Sequence, residues 1–415
     1  MRTAKHVVIA TIGSLGDLHP CLALALELKR RGHTVTLATT AYYRPRIEAL
    51  GLGFRPIRPD FNPTDPKLIA RFADLRRGLE VLYREMILPS LAATYADLSA
   101  AASEADLLLA GELVYAAPLV AEKLHKRWAS IILSPLSFFS AQDPSFTANA
   151  PRLIELRKLG APAYRLALNI ARLATRHWSN PVRELRSREG LRRHCDPVFR
   201  DKFSPDLVLA LFSRVFAPKQ SDWPSQTVQP GFVRFENTAA ESAEISKFLA
   251  AGEPPIIFTQ GSTAVHNAGD FYRDSATAAR SLGKRALLVG AADCSQAVSD
   301  DLLIVRYANY SHVFPSGLIN VHQGGSGTIG EALRAGRPML VVPYGWDQPD
   351  NAMRIERLGP GLHLPRQRYS AKNAEDALRR LIEDPSFAIR AGEMRNQLES
   401  ENGLSDACNA IEALL

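Results

Sequence analysis

The chain has 415 residues, of which 46% are hydrophobic and 22% charged, and its formal net charge is +7. A chain of this length and composition can bury a sizeable core without disulfides or metal ions, which excludes a mini-protein scaffold, a fibre and a disordered chain. Its apolar runs are far shorter than the roughly 18 residues that a membrane span needs. The length predicts two or three domains.

The cysteines and the amino terminus bear on the compartment. Cys21, Cys195, Cys294 and Cys408 are far apart and form no C-x-x-C pair. This spacing argues against a zinc site and favours a reducing environment. The amino-terminal stretch lacks the apolar core and the cleavage site of a signal peptide, so we expect a cytoplasmic protein.

The first part of the chain alternates between two periodicities. HVVIATIG, TVTLATT, DLLLAG and ASIILSP predict buried strands, and apolar residues at helical spacing fill the segments between them. Gly32 is expected at the carboxyl end of the first helix. The alternation predicts a parallel sheet with helices on both faces, in a first domain at residues 1–215.

A basic insertion at about residues 141–202 interrupts this alternation with helical, proline-broken sequence. Between Arg152 and Lys202, eleven arginines and two lysines stand against five acidic residues, a surplus that alone accounts for the net charge. No nucleic-acid-binding motif accompanies it, so no nucleic-acid partner is expected. A solvated arginine-rich helical face is the first interpretation, and peripheral contact with a membrane surface is the alternative.

The second part of the chain repeats the alternation. A proline-rich polar stretch at 216–236 predicts a linker, and PPIIFTQGS, RALLVG, LLIVRY, SGLINVHQGG and PMLVVP then predict the strands of a second domain at 237–415. We expect an α/β protein with two facing doubly wound, Rossmann-like domains. A cleft between them would lie at the carboxyl ends of both sheets, where ligands of such sheets bind.

The stretch from His322 to Gly336 combines several features of a diphosphate site. It follows a predicted strand and opens a helix, whose free N–H groups and dipole favour an anion. The flexible and hydroxyl-bearing residues there are Gly324, Gly325, Ser326, Gly327 and Thr328. The stretch matches neither the Walker A nor the G-x-G-x-x-G pattern, and a tight turn is its alternative interpretation.

The pattern continues into the next αβ unit. His-x-Gly-Gly-x-Gly-Thr, Gly-x-Pro and Pro-x-x-x-Asp-Gln-x-x-Asn-Ala follow one another between residues 322 and 352. This order resembles the donor-binding signature of family 1 glycosyltransferases, which have the GT-B fold. The resemblance implies that His322 and its loop hold the diphosphate, that Asp347 and Gln348 bind the sugar hydroxyls, and that Asn351 supports the phosphate side. A helix N-cap is the alternative role of Asp347.

Two further segments join the donor site by the same resemblance. Tyr307 would stack on a pyrimidine, with backbone groups of Ala308 and Asn309 reading the edge of the base; a buried core tyrosine is the alternative. The loop after the first strand of the second domain would face the diphosphate from the other side, or form a simple strand-to-helix turn; its residues are Gly261, Ser262 and Thr263.

One position departs from the family pattern. Many members have a glutamate eight residues after the histidine, where it binds the ribose, whereas this chain has Gly330 there and Glu331 one place later. On a helix one place is a rotation of about 100°, which puts ribose binding in question. A loop longer by one residue would restore the fit, and a deoxyribose donor is compatible with the change.

The stretch from Gly13 to His33 resembles the acceptor-side loop of the same enzymes. Asp17 stands three residues before Pro20, where the family places the base that takes the acceptor proton, and His19 is the competing base. A helix N-cap near Pro20 is the alternative role of Asp17, and an exposed loop position that of His19. Glu112 would orient His19 or line the acceptor site, and a structural or exposed position is its alternative. The further acceptor-site candidates are Gly16, Phe138 and Phe139, with a core position as the alternative for the two phenylalanines.

The segments GSLGD, FAPKQSDWP and FTQGST together resemble the B chain of rhamnosyltransferase, a bacterial branch of family 1. The resemblance implies an inverting, metal-independent enzyme without a resident cofactor. It would move a sugar, L-rhamnose in that branch, from a dTDP- or UDP-sugar to a hydroxyl of a lipid-like hydroxy acid or an aromatic alcohol such as a flavonoid. A non-catalytic nucleotide-binding helper subunit and a nucleotide-sugar epimerase are the alternatives, and the oligomeric state is left open.

Overall fold

The computed structural model describes residues 4–192, 195–236, 242–291 and 299–415. Cys294, Arg193 of the basic segment and the predicted domain start at residue 237 lie outside the described residues. Cys21, Cys195 and Cys408 are buried free thiols. Within the described ranges, no helix is both long and apolar enough to cross a membrane.

The strands, in chain order, are β1 His6–Ala10, β2 Thr34–Thr39, β3 Gly53–Pro56, β4 Leu107–Gly111, β5 Trp128–Ile132, β6 Leu207–Ala210, β7 Thr227–Val228, β8 Ile256–Thr259, β9 Ala286–Val289, β10 Leu302–Val305, β11 Ile319–His322, β12 Met339–Val341 and β13 Gly361–His363. The α-helices are α1 Leu15–Arg30, α2 Arg44–Ala49, α3 Pro66–Phe72, α4 Gly78–Val81, α5 Leu88–Ala102, α6 Ala117–Lys123, α7 Ala161–Ala174, α8 Asn180–Arg188, α9 Ala243–Ala250, α10 Gly261–Ala264, α11 Phe271–Ser281, α12 Tyr310–Val313, α13 Ser326–Ala335, α14 Gln348–Leu358, α15 Ala371–Glu383, α16 Ser386–Leu398 and α17 Gly403–Glu412.

The first of two compact units comprises residues 1–63, 74–235 and 402–415. Its seven-stranded parallel sheet, as far as the chain is described, has the order β3-β2-β1-β4-β5-β6-β7. In β1, Val8 is paired with Thr36 on one side and Leu108 on the other. The apolar residues of β1, β4, β5 and β6 are covered on both faces, as in parallel sheets with helices on both sides.

The last helix, α17, completes the core of this first unit. Ala407, Cys408 and Ile411 are fully buried among side chains of β1, β4 and α1. The Arg31 guanidinium also donates to Glu412 at 3.0 Å. The prediction placed these residues in the second domain, because a sequence pattern does not show which sheet a terminal amphipathic helix covers.

The proline-rich stretch at 216–236 is folded onto the first unit. Phe216, Trp223 and Phe232 are buried there, and the stretch contributes strand β7 at the sheet edge. Prolines and polar residues indicated a linker, but the aromatic side chains between them bury enough apolar surface to hold the segment against the sheet.

The second unit comprises residues 64–73 and 236–401. Its six-stranded parallel sheet, within the described residues, has the order β10-β9-β8-β11-β12-β13. Helix α3 belongs here although it lies early in the chain, because Ile69 packs with Ala264 and Tyr344. Sequence position alone assigned α3 to the first domain.

The order of strands locates the candidate site in each unit. Both sheets have the doubly wound Rossmann order, so the predicted α/β class is confirmed. The order reverses between β1 and β4 in the first unit and between β8 and β11 in the second. Loops that leave neighbouring strands at such a switch point diverge to opposite faces and leave room for a ligand. Asp17, Glu112, Gly261 and the loop after His322 follow these four strands, and the remaining candidates follow the neighbouring strands β5, β10 and β12.

Candidate active site

His322 ends β11 with its side chain fully buried. Its Nδ1 accepts a hydrogen bond from the Gly324 N–H at 3.1 Å, so the ring proton is on Nε2. Among the described residues, Nε2 has no hydrogen-bond partner. Burial lowers the pKa of His322 to about 3, so the ring is neutral at physiological pH. Within the described ranges, the site therefore holds a neutral N–H donor that lacks an acceptor.

The glycines beside His322 fix the shape of its loop. Gly324 has φ +86°, and a Cβ there would stand 2.6 Å from Val341 Cγ1. Gly261 has φ +65°, and a Cβ there would stand 2.1 Å from Nε2 of Gln323. Gly325 precedes α13 in an extended conformation as its N-cap residue. The loops after β8 and β11 therefore both close around Gln323, a residue that the sequence analysis missed.

Several of the buried polar atoms that lack a partner among the described residues lie in these loops and at the start of α14. They include Gln260 Oε1, His322 Nε2, Gln323 Oε1 and Asn351 Oδ1. Gly261 adjoins Gln323, and the Asn351 amide donates to the Gly324 carbonyl at 2.9 Å, so the four residues form one neighbourhood. Native proteins pair nearly all such groups, and a cluster of exceptions indicates a polar ligand.

The predicted sugar-binding residues brace the loop. Gln348 accepts from the backbone N–H groups of Tyr344 at 2.8 Å and Gly345 at 3.2 Å. Asp347 accepts from the Asn351 amide at 2.8 Å and occupies the N-cap position of α14 without capping through its side chain. The side-chain oxygen of Gln348 and one carboxylate oxygen of Asp347 thus accept hydrogen bonds from within the protein, and these bonds hold the two side chains in place.

The loop after β8 continues into α10, so the strand-to-helix turn expected as the alternative is present. Gly261 is buried in that turn, whereas Ser262 is exposed and Thr263 half-buried. Such a turn and a diphosphate-facing loop are compatible, because the amino end of a helical turn carries free N–H groups.

The predicted base-binding segment lies between β10 and α12. The Tyr307 side chain is 58% exposed, so the core alternative for this residue is wrong. Ala308 is buried. Asn309 is the N-cap residue of α12, and its Oδ1 accepts from the Ser311 hydroxyl at 2.9 Å. In α13, Gly330 is buried and Glu331 half-buried, and the helix starts at Ser326.

Asp17 lies in the first turn of α1 in the first unit. The helix begins at Leu15, earlier than the start near Pro20 that the sequence indicated. Ser14 and Asp17 form a capping box in which Asp17 Oδ2 accepts from the Ser14 N–H at 2.8 Å. Burial, together with the charge of Glu112, raises the pKa of Asp17 to about 6. The carboxylate is therefore ionised at neutral pH and more basic than an ordinary aspartate.

His19 lies inside α1 and not in an exposed loop. Its ring stacks on Phe235 at 5.0 Å, and its Nε2 is buried without a partner among the described residues. Burial and the nearby Arg46 cation lower the pKa of His19 to about 4. The following Pro20 has no N–H to donate, so the carbonyl of exposed Gly16 lacks its usual helical partner.

Glu112 follows β4 and faces a lysine that the sequence analysis counted only as part of the basic segment. The Lys202 Nζ lies 3.5 Å from Glu112 Oε2, and the lysine side chain is buried. Burial lowers the pKa of Lys202, and the Glu112 carboxylate opposes that shift. Glu112 was predicted to orient His19. It instead pairs with Lys202, and its charge raises the pKa of Asp17.

Asp17 and Glu112 line a small cavity together with residues of β4 and β5. Its volume is about 10 Å³, and its polar lining comes from Thr11, Asp17, Cys21 and Glu112. This is close to the space of one buried water, and four polar groups are enough to bind one.

The two phenylalanines predicted for the acceptor site differ in their surroundings. Phe138 is buried, with its ring stacked on Trp223 at 3.8 Å, so it belongs to the core. Phe139 is half-buried, with φ +48°, and its ring lies 4.8 Å from Lys202 Nζ. Positive φ is unusual for a bulky residue, and such strain concentrates at functional sites.

In the part of the chain that the structure describes, no group of three or more His, Cys, Asp or Glu residues could hold a metal ion.

Comparisons with known proteins show the family to which this chain belongs. Residues 7–126 match the glycosyltransferase family 28 N-terminal domain, and residues 289–414 match the C-terminal domain described as erythromycin biosynthesis protein CIII-like. The chain is 31% identical to O-mycaminosyltylonolide 6-deoxyallosyltransferase of Streptomyces fradiae over 98% of this chain and 97% of that protein. This chain belongs to the GT-B glycosyltransferases.

Solved structures agree with that assignment. The glycosyltransferase superposes on spinosyn forosaminyltransferase with a TM-score of 0.74 and 17% identity, covering 99% of both chains. It superposes on spinosyn rhamnosyltransferase, solved with thymidine diphosphate, with a TM-score of 0.71 and 17% identity, covering 98% of this chain and all of the other. The predicted GT-B fold is confirmed. That the chain belongs to family 1, and within it to the rhamnosyltransferase B chain branch, stays a prediction.

Proposed function

We propose that this glycosyltransferase moves a 6-deoxyhexose, with L-rhamnose as the first candidate, from a dTDP-sugar to a hydroxyl of an apolar acceptor with inversion at the anomeric carbon. Two similar proteins support a 6-deoxy sugar, because one is named a 6-deoxyallosyltransferase and the other a rhamnosyltransferase. The thymidine diphosphate in the latter supports dTDP over UDP. Gly330, in place of the ribose-binding glutamate, is compatible with a deoxyribose.

The observation that carries the proposal is the Nε2–H of His322. It is a buried donor without an acceptor among the described residues, at the end of β11 and before the amino end of α13. A diphosphate oxygen supplies the missing acceptor, and the helix dipole and the free N–H groups of α13 favour the same negative charge. These groups also stabilise the nucleoside diphosphate as it leaves, because its charge grows as the bond to the sugar breaks.

The proposed reaction needs one base. The acceptor oxygen forms a bond to the anomeric carbon, the bond from that carbon to the diphosphate oxygen breaks with its electron pair, and the hydroxyl proton passes to the carboxylate of Asp17. A base with a pKa near the working pH is the most effective, and burial brings Asp17 closer to that value. His19 has a pKa of about 4 and is the weaker of the two candidates.

The names of similar proteins and the surroundings of Phe139 bear on the acceptor. The similar proteins are named for O-mycaminosyltylonolide and for spinosyn, which supports a natural-product acceptor. Phe139, beside Lys202, provides an apolar surface next to Glu112. A lipid-like hydroxy acid and a flavonoid, the acceptors of the predicted branch, fit the same description of an apolar molecule with one reactive hydroxyl.

A donor panel tests the proposal. dTDP-rhamnose, UDP-rhamnose and UDP-glucose are each incubated with the enzyme and a mixture of apolar alcohols, and nucleotide release and glycoside formation are measured. We expect release that depends on the acceptor and is fastest with dTDP-rhamnose. A helper subunit would bind nucleotide without forming a glycoside, and an epimerase would change the sugar without any acceptor. Either result would overturn the proposal.

A further inference from the structure

The helix α7 exposes apolar side chains on one face. Leu166, Ile170 and Leu173 are 62%, 61% and 70% exposed. Their spacing of four and three residues places them in one stripe along the helix. Tyr164, on the opposite side, is the buried residue of α7 and anchors it to the first unit. A surface helix of a globular protein normally points its apolar stripe inward, whereas the apolar stripe of α7 points to solvent.

Cations border this stripe. Arg165 lies on α7 beside the stripe, and Arg176 begins the short 3-10 helix that follows α7; both are exposed. From residue 151 to residue 176 the chain has five arginines and one lysine but a single acidic residue, Glu155. Helix α7 itself contains no carboxylate.

We propose that the apolar stripe of α7 docks on an anionic lipid surface. An interfacial helix lies in the plane of the membrane with its apolar residues among the acyl chains, while its arginines reach the phosphate groups. Charge complementarity decides the lipid class, since the positive segment is attracted to anionic headgroups and has no such attraction to neutral ones. The docking extends the proposed function without depending on it.

The arrangement of charge favours a lipid surface over a protein partner. A specific protein interface pairs donors and acceptors of both signs at its rim, whereas this surface offers arginines and an uninterrupted apolar stripe. The stripe is short, so the arginines and the apolar residues are both needed for stable binding. The interaction should therefore weaken in high salt as well as on loss of the apolar side chains.

Vesicle co-sedimentation of the full chain tests the proposal. Vesicles of phosphatidylglycerol and phosphatidylcholine in equal amounts are compared with vesicles of phosphatidylcholine alone, at low and at high salt. We expect the partition coefficient to be at least about tenfold higher on the anionic vesicles at low salt, with most of that difference lost at high salt. Ile170→Ser should lower binding to the anionic vesicles by about tenfold.

The chain offers a matched control for Ile170. Ile389 on α16 is 62% exposed, so Ile389→Ser removes the same side chain at the same exposure from a different helix. This variant should bind the vesicles like the parent. Equal binding by the two variants, or no preference for anionic vesicles, would overturn the proposal. A dimer that sediments as such and dissociates with Ile170→Ser would also overturn it, because the stripe would then be an interface between copies.

Discussion

Asp17 connects local helix chemistry with the proposed base. Its carboxylate caps the start of α1 through the Ser14 N–H, and burial makes it a stronger base. Asp17→Asn keeps an oxygen for the cap and removes the base. We expect kcat to fall by about 10²–10⁴-fold while the affinity for dTDP changes little. His19→Gln is the comparison, and normal turnover by Asp17→Asn together with a lost turnover by His19→Gln would reassign the base to His19.

The pH profile gives a second test at Asp17. The base works in its ionised form, so kcat should rise with pH through an apparent pKa near 6. Glu112 raises the pKa of Asp17, so Glu112→Gln should shift the rise of kcat to lower pH. Lys202→Met removes the cation that faces Glu112 and should move it to higher pH.

A surface ion pair of similar length serves as the control for Lys202. Lys123 Nζ lies 3.6 Å from Glu189 Oε2, and its side chain is 46% exposed. Lys123→Met should therefore leave the profile in place, because solvent screens exposed pairs. If Lys202→Met lowers kcat equally at every pH, the ion pair has only a structural role.

At the scale of elements, the glycine loop after β8 is the part of the donor site most sensitive to volume. Gly261 and Gly283 have nearly the same φ, +65° and +62°, but a Cβ at Gly283 would meet nothing within 4 Å. Both alanine variants therefore incur a similar backbone cost of about 1 kcal/mol. Only Gly261→Ala should also displace Gln323, and we expect its Kd for dTDP to rise by roughly tenfold or more. A similar Kd for both variants, measured by calorimetry, would refute this role of the loop.

The sequence predicted the main strands of the site better than it predicted where the helices and strands begin and end. Uninterrupted apolar runs identified β1, β4, β8 and β11, because parallel strands are buried on both faces. Strands β3, β6, β7 and β13 were missed. β3, β7 and β13 are short and include residues that are not buried, so they lack a continuous apolar pattern, and β6 directly follows the basic insertion, where helical sequence was expected. The start of α1 was misplaced because Pro20 normally marks a helix boundary, whereas here the capping box starts the helix at Leu15.

The contacts between side chains could not be predicted from the sequence, for a different reason. Lys202 and Glu112 are 90 residues apart, and Gln323 meets Gly261 only because β8 and β11 are neighbours. A motif identifies residues that lie close together in the chain, whereas these contacts depend on strand order. The switch points of the two sheets supply that information once the topology is known.

At the scale of the whole molecule, the chain terminus stabilises the amino-terminal unit. Ile411 on α17 is fully buried in the core of that unit, so Ile411→Ala should lower the free energy of unfolding by about 2–5 kcal/mol. Ile389→Ala, at an exposed site, should change it by less than about 0.5 kcal/mol. Equal urea midpoints for the two variants would show that α17 does not contribute to the core.

The affinity of the donor site for dTDP tests the central claim most directly. Calorimetric titration compares the parent protein with His322→Ala and with His363→Ala, whose imidazole is partly exposed and contacts Glu356. A hydrogen bond to a charged group contributes about 1.5–3 kcal/mol, so His322→Ala should weaken binding by about 10–150-fold, and His363→Ala should have no effect. An unchanged Kd in folded His322→Ala would contradict the claim that the Nε2–H of His322 binds the diphosphate.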